Sequence, residues 1–203
     1  MSSMLPTKGN LMASKRSRAL AQTGYELMDR KRTILVRELM GLVKEATQLQ
    51  SDMNTAFSEA YQALMRASMT IGVPESVAEA VSVDTTLDIQ YHSVMGVELP
   101  RVSGQTPPPR MEYGFANTSS ALDDCYLKFH RVKDAVRRMA EVETSVSRLS
   151  EAIQKTQKRA NALSQIVIPD LDETIRLITD TLEEKEREEF VKLKVVKQMS
   201  QPG

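Results

Sequence analysis

No proline interrupts residues 7 to 68, and within that stretch apolar side chains recur at alternating steps of four and three: Leu35, Leu39, Leu42, Ala46, Leu49, Met53, Ala56, Ala60. Such a chain carries one narrow apolar stripe along a helix, and a helix of this kind is not stable until a second helix covers the stripe. Toward the amino end, Leu20, Leu27 and Ile34 keep a seven-residue step on a neighbouring stripe, so the buried face is expected to drift there. Pro6 and Thr7 supply a start signal, and Gly72, ahead of Val73 and Pro74, supplies a stop.

A second long pattern opens after Asn117, Thr118 and Ser119, whose side chains can cap a helix, and runs through Cys125, Phe129, Val132, Val136 and Met139. It continues through Val142, Val146, Leu149, Ile153, Thr156, Ala160, Leu163 and Val167; the step from Met139 to Val142 reads as a stammer that overwinds the pair locally. Pro169 lacks a backbone donor and crowds the preceding turn, yet Ile175, Ile178, Leu182, Phe190, Leu193 and Val196 resume the helical period, which predicts a bend and not an end. At about 1.5 Å per residue, helices of roughly 65 and 80 residues would reach on the order of 100 and 120 Å. The fold class expected is therefore mostly α, a long antiparallel two-helix coiled coil. Its predicted seam includes Leu35, Leu39, Leu42, Leu49 and Met53 on one helix and Val136, Met139, Val146, Leu149, Ile153 and Leu163 on the other. Placing Gly24, which has no side chain, opposite Pro169 gives a register in which paired numbers sum to about 193, with residues beyond about Lys185 overhanging the amino end.

Three segments follow: an amino-terminal long helix over 1 to 72, a connecting segment over 73 to 117, and a carboxyl-terminal long helix over 118 to 203. The connector has a different texture, with Pro74, Pro100, Pro107, Pro108 and Pro109 and three glycines. Within it Val83, Thr85, Leu87, Ile89 and Tyr91 alternate with polar residues, the period of a half-buried strand. A turn near Met95 and Gly96 and a return strand through Val97 and Leu99 make a small β-hairpin, preceded by a short helix near Glu75 to Val81.

Chemistry is sparse in this sequence. No GxxxxGK[ST] loop is present, which argues against nucleotide binding by this chain, and no cofactor is expected. His92 and His130 lack neighbours at metal-ligand spacing, and Cys125 sits on the helical stripe with no histidine placed to activate it. Asp123 and Asp124 fall in the first turns of a helix, where acidic residues favour the positive end of the backbone dipole. These residues predict no catalytic group and no metal site. Formal charge is zero, so nothing draws the whole chain to nucleic acid; no apolar run is long enough to span a bilayer, and Met1 to Thr7 lacks the apolar core of a secretion signal. The expectation is a cytoplasmic chain whose membrane association is indirect. Charge is nevertheless blocky: residues 1 to 44 carry nine basic and three acidic side chains, and residues 45 to 124 carry three and eleven. Either these are solvated helix faces, or the two ends meet different partners.

Both ends of the chain resemble the D subunits of the V-type and A-type rotary ATPases. The residues that carry the likeness are Pro6, Thr7, Lys8, then Gly24 to Met28 with Lys31 and Arg32. Toward the carboxyl end they are Lys158 to Leu163, Ile168, Pro169, and Leu182 to Glu184 with Glu186, Arg187, Glu188, Leu193 and Lys194. In the connector the likeness is confined to Met95, Gly96, Val97, Leu99 and Pro100. The resemblance implies a non-catalytic central-stalk component that transmits torque between the ATP-hydrolysing or ATP-synthesising hexamer and the membrane ion-translocating rotor. Its implied partners are the catalytic A and B subunits, the small F subunit of the central stalk and a connector to the membrane rotor. It places Ile175, Ile178, Leu182, Phe190 and Leu193 at a hexamer-contact end, Pro169 at a shaft bend, and Val94, Met95, Gly96 and Val97 at a rotor-contact hairpin. The same carboxyl-terminal apolar residues could instead pack on Leu11, Met12 and Leu20. A different class of function, a homo-oligomeric coiled-coil scaffold or tether, fits the same heptads.

Overall fold

In the computed structural model, residues 5–72, 79–82, 87–103, 108–109, 113–114 and 118–199 are described. The chain runs through α1 (Lys8–Ile71), β1 (Asp88–Val94), β2 (Val97–Ser103), α2 (Ser120–Ala162), a π-turn (Leu163–Val167) and α3 (Ile168–Met199). The mostly helical class with a small intervening hairpin is thus the observed one. The expected short helix near 75 to 81 and the first residues of the expected strand, 83 to 86, fall largely outside the described residues.

Thr7 opens α1 by accepting the Asn10 backbone N–H on its hydroxyl at 3.2 Å, while its carbonyl takes the Leu11 N–H at 3.0 Å. Gly72 closes it with φ +83°, its N–H donated to the Ser68 carbonyl at 2.9 Å, a left-handed stop that a side chain would strain. Ser119 was expected to cap the second long helix. Its hydroxyl is instead buried and finds no hydrogen-bond partner among the described residues, and its carbonyl serves the turn by accepting from Leu122 and Asp123.

The contacts divide the chain into two compact units, Met1–Thr33 with Gln154–Gly203, and Ile34–Ile153. In the first, Lys8 meets Glu186, Arg18 meets Asp172 and Arg32 hydrogen-bonds Gln157, an order that runs the two helices of the pair in opposite directions. Here the expected drift does not occur. Leu20 and Leu27 are 73% and 58% exposed, and the covered positions are Leu11, Ser14, Arg18, Ala21, Tyr25, Met28 and Arg32. These stay in the same seven-residue frame as Leu35 and Leu39. Leu11, Ala21, Tyr25 and Met28 share this seam with Ser14, Arg18 and Arg32, and the two arginines reach acceptors on the facing helix, so apolar lettering alone points to the wrong stripe. Gly24 faces Leu163, whose Cδ1 lies 3.7 Å from where a Cβ would stand, and not Pro169.

In the second unit two clusters hold the fold. Leu35 and Leu149, both fully buried, pack with Leu99 of β2 and with Leu39, Leu42, Val94, Val97, Ala152 and Ile153. Burying side chains of this size stabilises by about 1.5–3 kcal/mol each. Ala63 and Ala67 let the helices approach closely beside Leu122, Cys125 and Tyr113. Val142 and Ser145 are both buried and Val136 lies at the rim, 41% exposed, with Ala135 half-covered beside it. With Ala135 in place of Val136, the covered positions Val132, Ala135, Met139, Val142, Val146 and Leu149 keep alternating steps of three and four, which corrects both the expected stammer and the placing of Val136 in the seam.

Candidate functional site

Two features stand apart from the seam. The first is the carboxyl-terminal part of α3. Of its five singled-out residues, Ile178 is buried and Ile175 and Leu182 are half-covered, whereas Phe190 and Leu193 are 70% and 69% exposed. Of the expected packing partners Leu11 is half-covered, whereas Met12 and Leu20 are themselves exposed. Lys8, the first residue of α1, pairs with Glu186 at 2.8 Å, and every described residue after Glu186 is exposed. Phe190, Val191, Leu193, Val195, Val196 and Met199 are exposed here, distributed around a charged helix.

The second is the hairpin. Seven one-to-one pairs join β1 and β2, from Asp88 with Ser103 to Val94 with Val97, and the turn residues Met95 and Gly96 have φ of 52° and 77°. Two successive positive φ values make the mirror-image two-residue turn whose twist matches the strands. Val94 and Val97 face inward against the helices, and Met95 and Gly96 are exposed. Of the four residues expected to make a rotor contact, two are therefore engaged in packing within the chain.

α2 clamps the outer edge of β2. The Val102 N–H donates to Glu141 Oε2 at 3.0 Å, Arg148 Nη1 donates to the Glu98 carbonyl at 2.9 Å, and the Arg148 guanidinium lies 5.3 Å from the centre of the Tyr91 ring. Glu141 and Arg148 were not identifiable in the sequence: their partners lie 39 and 50 residues away and leave no local pattern.

The remaining reactive side chains have structural partners. Tyr113 donates its hydroxyl to Asp123 Oδ1 at 2.7 Å, and burial, then that carboxylate, push the phenol well above its usual range. Asp124 pairs with Lys128 at 2.8 Å, a hydrogen bond that holds its carboxyl below the ordinary value. Burial raises the Cys125 thiol, the opposite of what an activated nucleophile needs. His130 sits beside Tyr126, and among the described residues no group of three or more potential metal ligands converges. No described helix is long and apolar enough to cross a membrane.

The family model for the D subunit of ATP synthase matches residues 10–198 of the chain. The chain belongs to this family of ATP synthase D subunits. It is 42% identical to a V-type ATP synthase D subunit of Thermotoga neapolitana, covering 97% of this chain and 98% of the relative. It is 37% identical to an A-type ATP synthase D subunit of Methanopyrus kandleri, over 96% of this chain and 85% of that protein. The corresponding figures for the Pyrococcus furiosus A-type protein are 34%, 95% and 92%. Family membership thus spans α1, the hairpin, α2 and α3, and both candidate surfaces lie within it.

Proposed function

We propose that the chain is the non-catalytic central shaft of a V- or A-type rotary ATPase, passing torque between the catalytic hexamer and the membrane rotor. The observation that carries this reading is the exposed apolar end of α3 beyond the Lys8–Glu186 pair, on a helix otherwise devoted to pairing with α1. Exposed apolar side chains all round a helix end suit a hydrophobic bearing that encircles it, and the hexamer of A and B subunits offers one. A helix pair has no threefold symmetry. Turning among three catalytic sites, it meets each with a different face and biases each toward a different conformation, which is coupling by differential contact. The segment from residue 45 to 124, with its acidic excess, engages the small F subunit and the connector to the membrane rotor. Its place in the cell is then at the membrane through the assembly.

The test is reconstitution of the catalytic A and B subunits with this chain carrying a bead. ATP-driven rotation of the bead is expected, and truncation after Glu184 is expected to keep hydrolysis while losing most of the rotation. A chain that does not turn, or a truncated form that turns as well as the full chain, overturns the reading. A doubled mass for the isolated chain in light scattering would favour the scaffold instead.

A further inference from the structure

The two edges of the hairpin are treated differently. On β2 the outward-facing backbone groups are those of Glu98 and Val102, engaged by Arg148 and Glu141, with Pro100 between them contributing no N–H at all. In an antiparallel pair, residues whose backbone groups face outward sit opposite one another. The register therefore assigns the outward groups of β1 to Ile89, Tyr91 and Ser93, the partners of Val102, Pro100 and Glu98. The two-residue turn at Met95 and Gly96 gives the same parity, since it makes Val94 and Val97 an inward-bonded pair. Among the described residues, no hydrogen bond engages this row of three donors and three acceptors. β1 reads Asp-Ile-Gln-Tyr-His-Ser-Val, with no lysine or proline, and its seven consecutive pairs leave no bulge, so three of the devices that blunt an exposed edge are missing from this strand. Ile89 and Tyr91 flank the row at 55% and 56% exposure, and the ring of Tyr91 is steadied by Arg148.

We infer that the β1 edge is a docking site for an extended segment of another protein of the assembly, added as a third strand across Ile89, Tyr91 and Ser93. The occupant carries basic side chains, because the edge strand itself bears one acidic group, Asp88, and no lysine or arginine. The inference rests on the assembly reading only for the source of the strand.

Hydrogen exchange of the intact chain, alone and within the purified ATPase, tests it. In the free chain the amides of Ile89, Tyr91 and Ser93 exchange fast and those of Gln90 and His92 slowly; in the assembly the first three slow by at least about tenfold. Tyr91→Pro deletes one outward donor without touching a ladder bond, and Ile89→Lys adds a charge hostile to a basic strand. Both are expected to keep the helical circular dichroism and to abolish that protection, whereas Tyr91→Ser, which retains the N–H, preserves it. Unchanged fast exchange in the assembly overturns the inference, as does protection that arises in the free chain on raising its concentration. Bead rotation reports the shaft reading separately, so the two can fail independently.

Discussion

Ile168 donates its backbone N–H to the carbonyl of Leu163, five residues back and not four. That one bond inserts an extra residue into the helix. The covered positions before it, Ala160 and Leu163, and those after it, Ile168, Leu171, Ile175, Ile178 and Leu182, keep steps of three and four only if the step from Leu163 to Ile168 is five. Val167, expected in the seam, is turned outward in consequence. The extra residue also falls just before Pro169, which has no N–H to return to the preceding turn and would clash with it in a regular helix.

Deleting Gln165 removes the extra residue and leaves an uninterrupted seam, so the deletion should not swing Ile178 out of the pair as a deletion in a regular helix would. It does put Pro169 inside a regular helix, at a cost of about 3 kcal/mol. The deletion combined with Pro169→Ala is therefore expected to recover most of what the deletion alone loses. Urea unfolding of the single and double variants forms the cycle that measures this. Additive losses would sink the account of the turn.

Gly24→Ala is expected to stabilise the chain by about 0.5–1 kcal/mol, because glycine in a helix interior costs that much relative to alanine. The space is there: an added Cβ meets Leu163 Cδ1 at 3.7 Å, an ordinary contact. A lowered unfolding midpoint for this variant would show that the facing helix sits closer than 3.7 Å implies.

Much of the molecule was legible in its letters. The run from Leu35 to Ala60 announces its seam because every covered position there is apolar, and the hairpin turn at Met95 and Gly96 is framed by alternating strands. Between Leu11 and Arg32 the same frame is filled by Ser14, Arg18 and Arg32, and a reading that weighs apolar letters slides onto Leu20 and Leu27. Arg18 holds its seam position through Asp172 at 3.0 Å, a partner that no local spacing reveals. Pro169 marks the irregularity in α3, yet the five-residue bond begins at Leu163, since a widened turn needs no special residue type. The clamp of Glu141 and Arg148 on β2 is long-range, and nothing in either neighbourhood signals it.

Met95 carries φ of 52° in the first central position of the hairpin turn, a conformation that L side chains with a long Cβ substituent resist and that Asn or Gly adopts readily. Met95→Asn is expected to stabilise the hairpin by up to about 1 kcal/mol. Slower amide exchange at Gln90 and His92 is the local readout, and faster exchange there would mean that the Met95 side chain supplies packing that outweighs the strain.

Lys8 and Glu186 pair at 2.8 Å with both side chains well exposed. The ammonium holds the Glu186 carboxyl below its ordinary value of 4.5, and the carboxylate raises Lys8 above 10.5. A carboxyl depressed by folding contributes stability above its unfolded value and loses it as pH falls through the lower folded one. The raised lysine contributes below 10.5 and loses its share as pH rises through the higher folded value. Fastening of the end of α3 to the start of α1 should therefore be flat across neutral pH and loosen at both extremes, weakly, because exposed pairs are screened by solvent and salt. Carboxyl-detected NMR titration checks the acid limb: Glu186 is expected to titrate below 4.5 in the native chain and to move back toward it in Lys8→Met. An unchanged Glu186 titration in that variant would mean that the pair does not persist in solution, leaving the apolar end of α3 tethered by Ile178 and Leu182 alone.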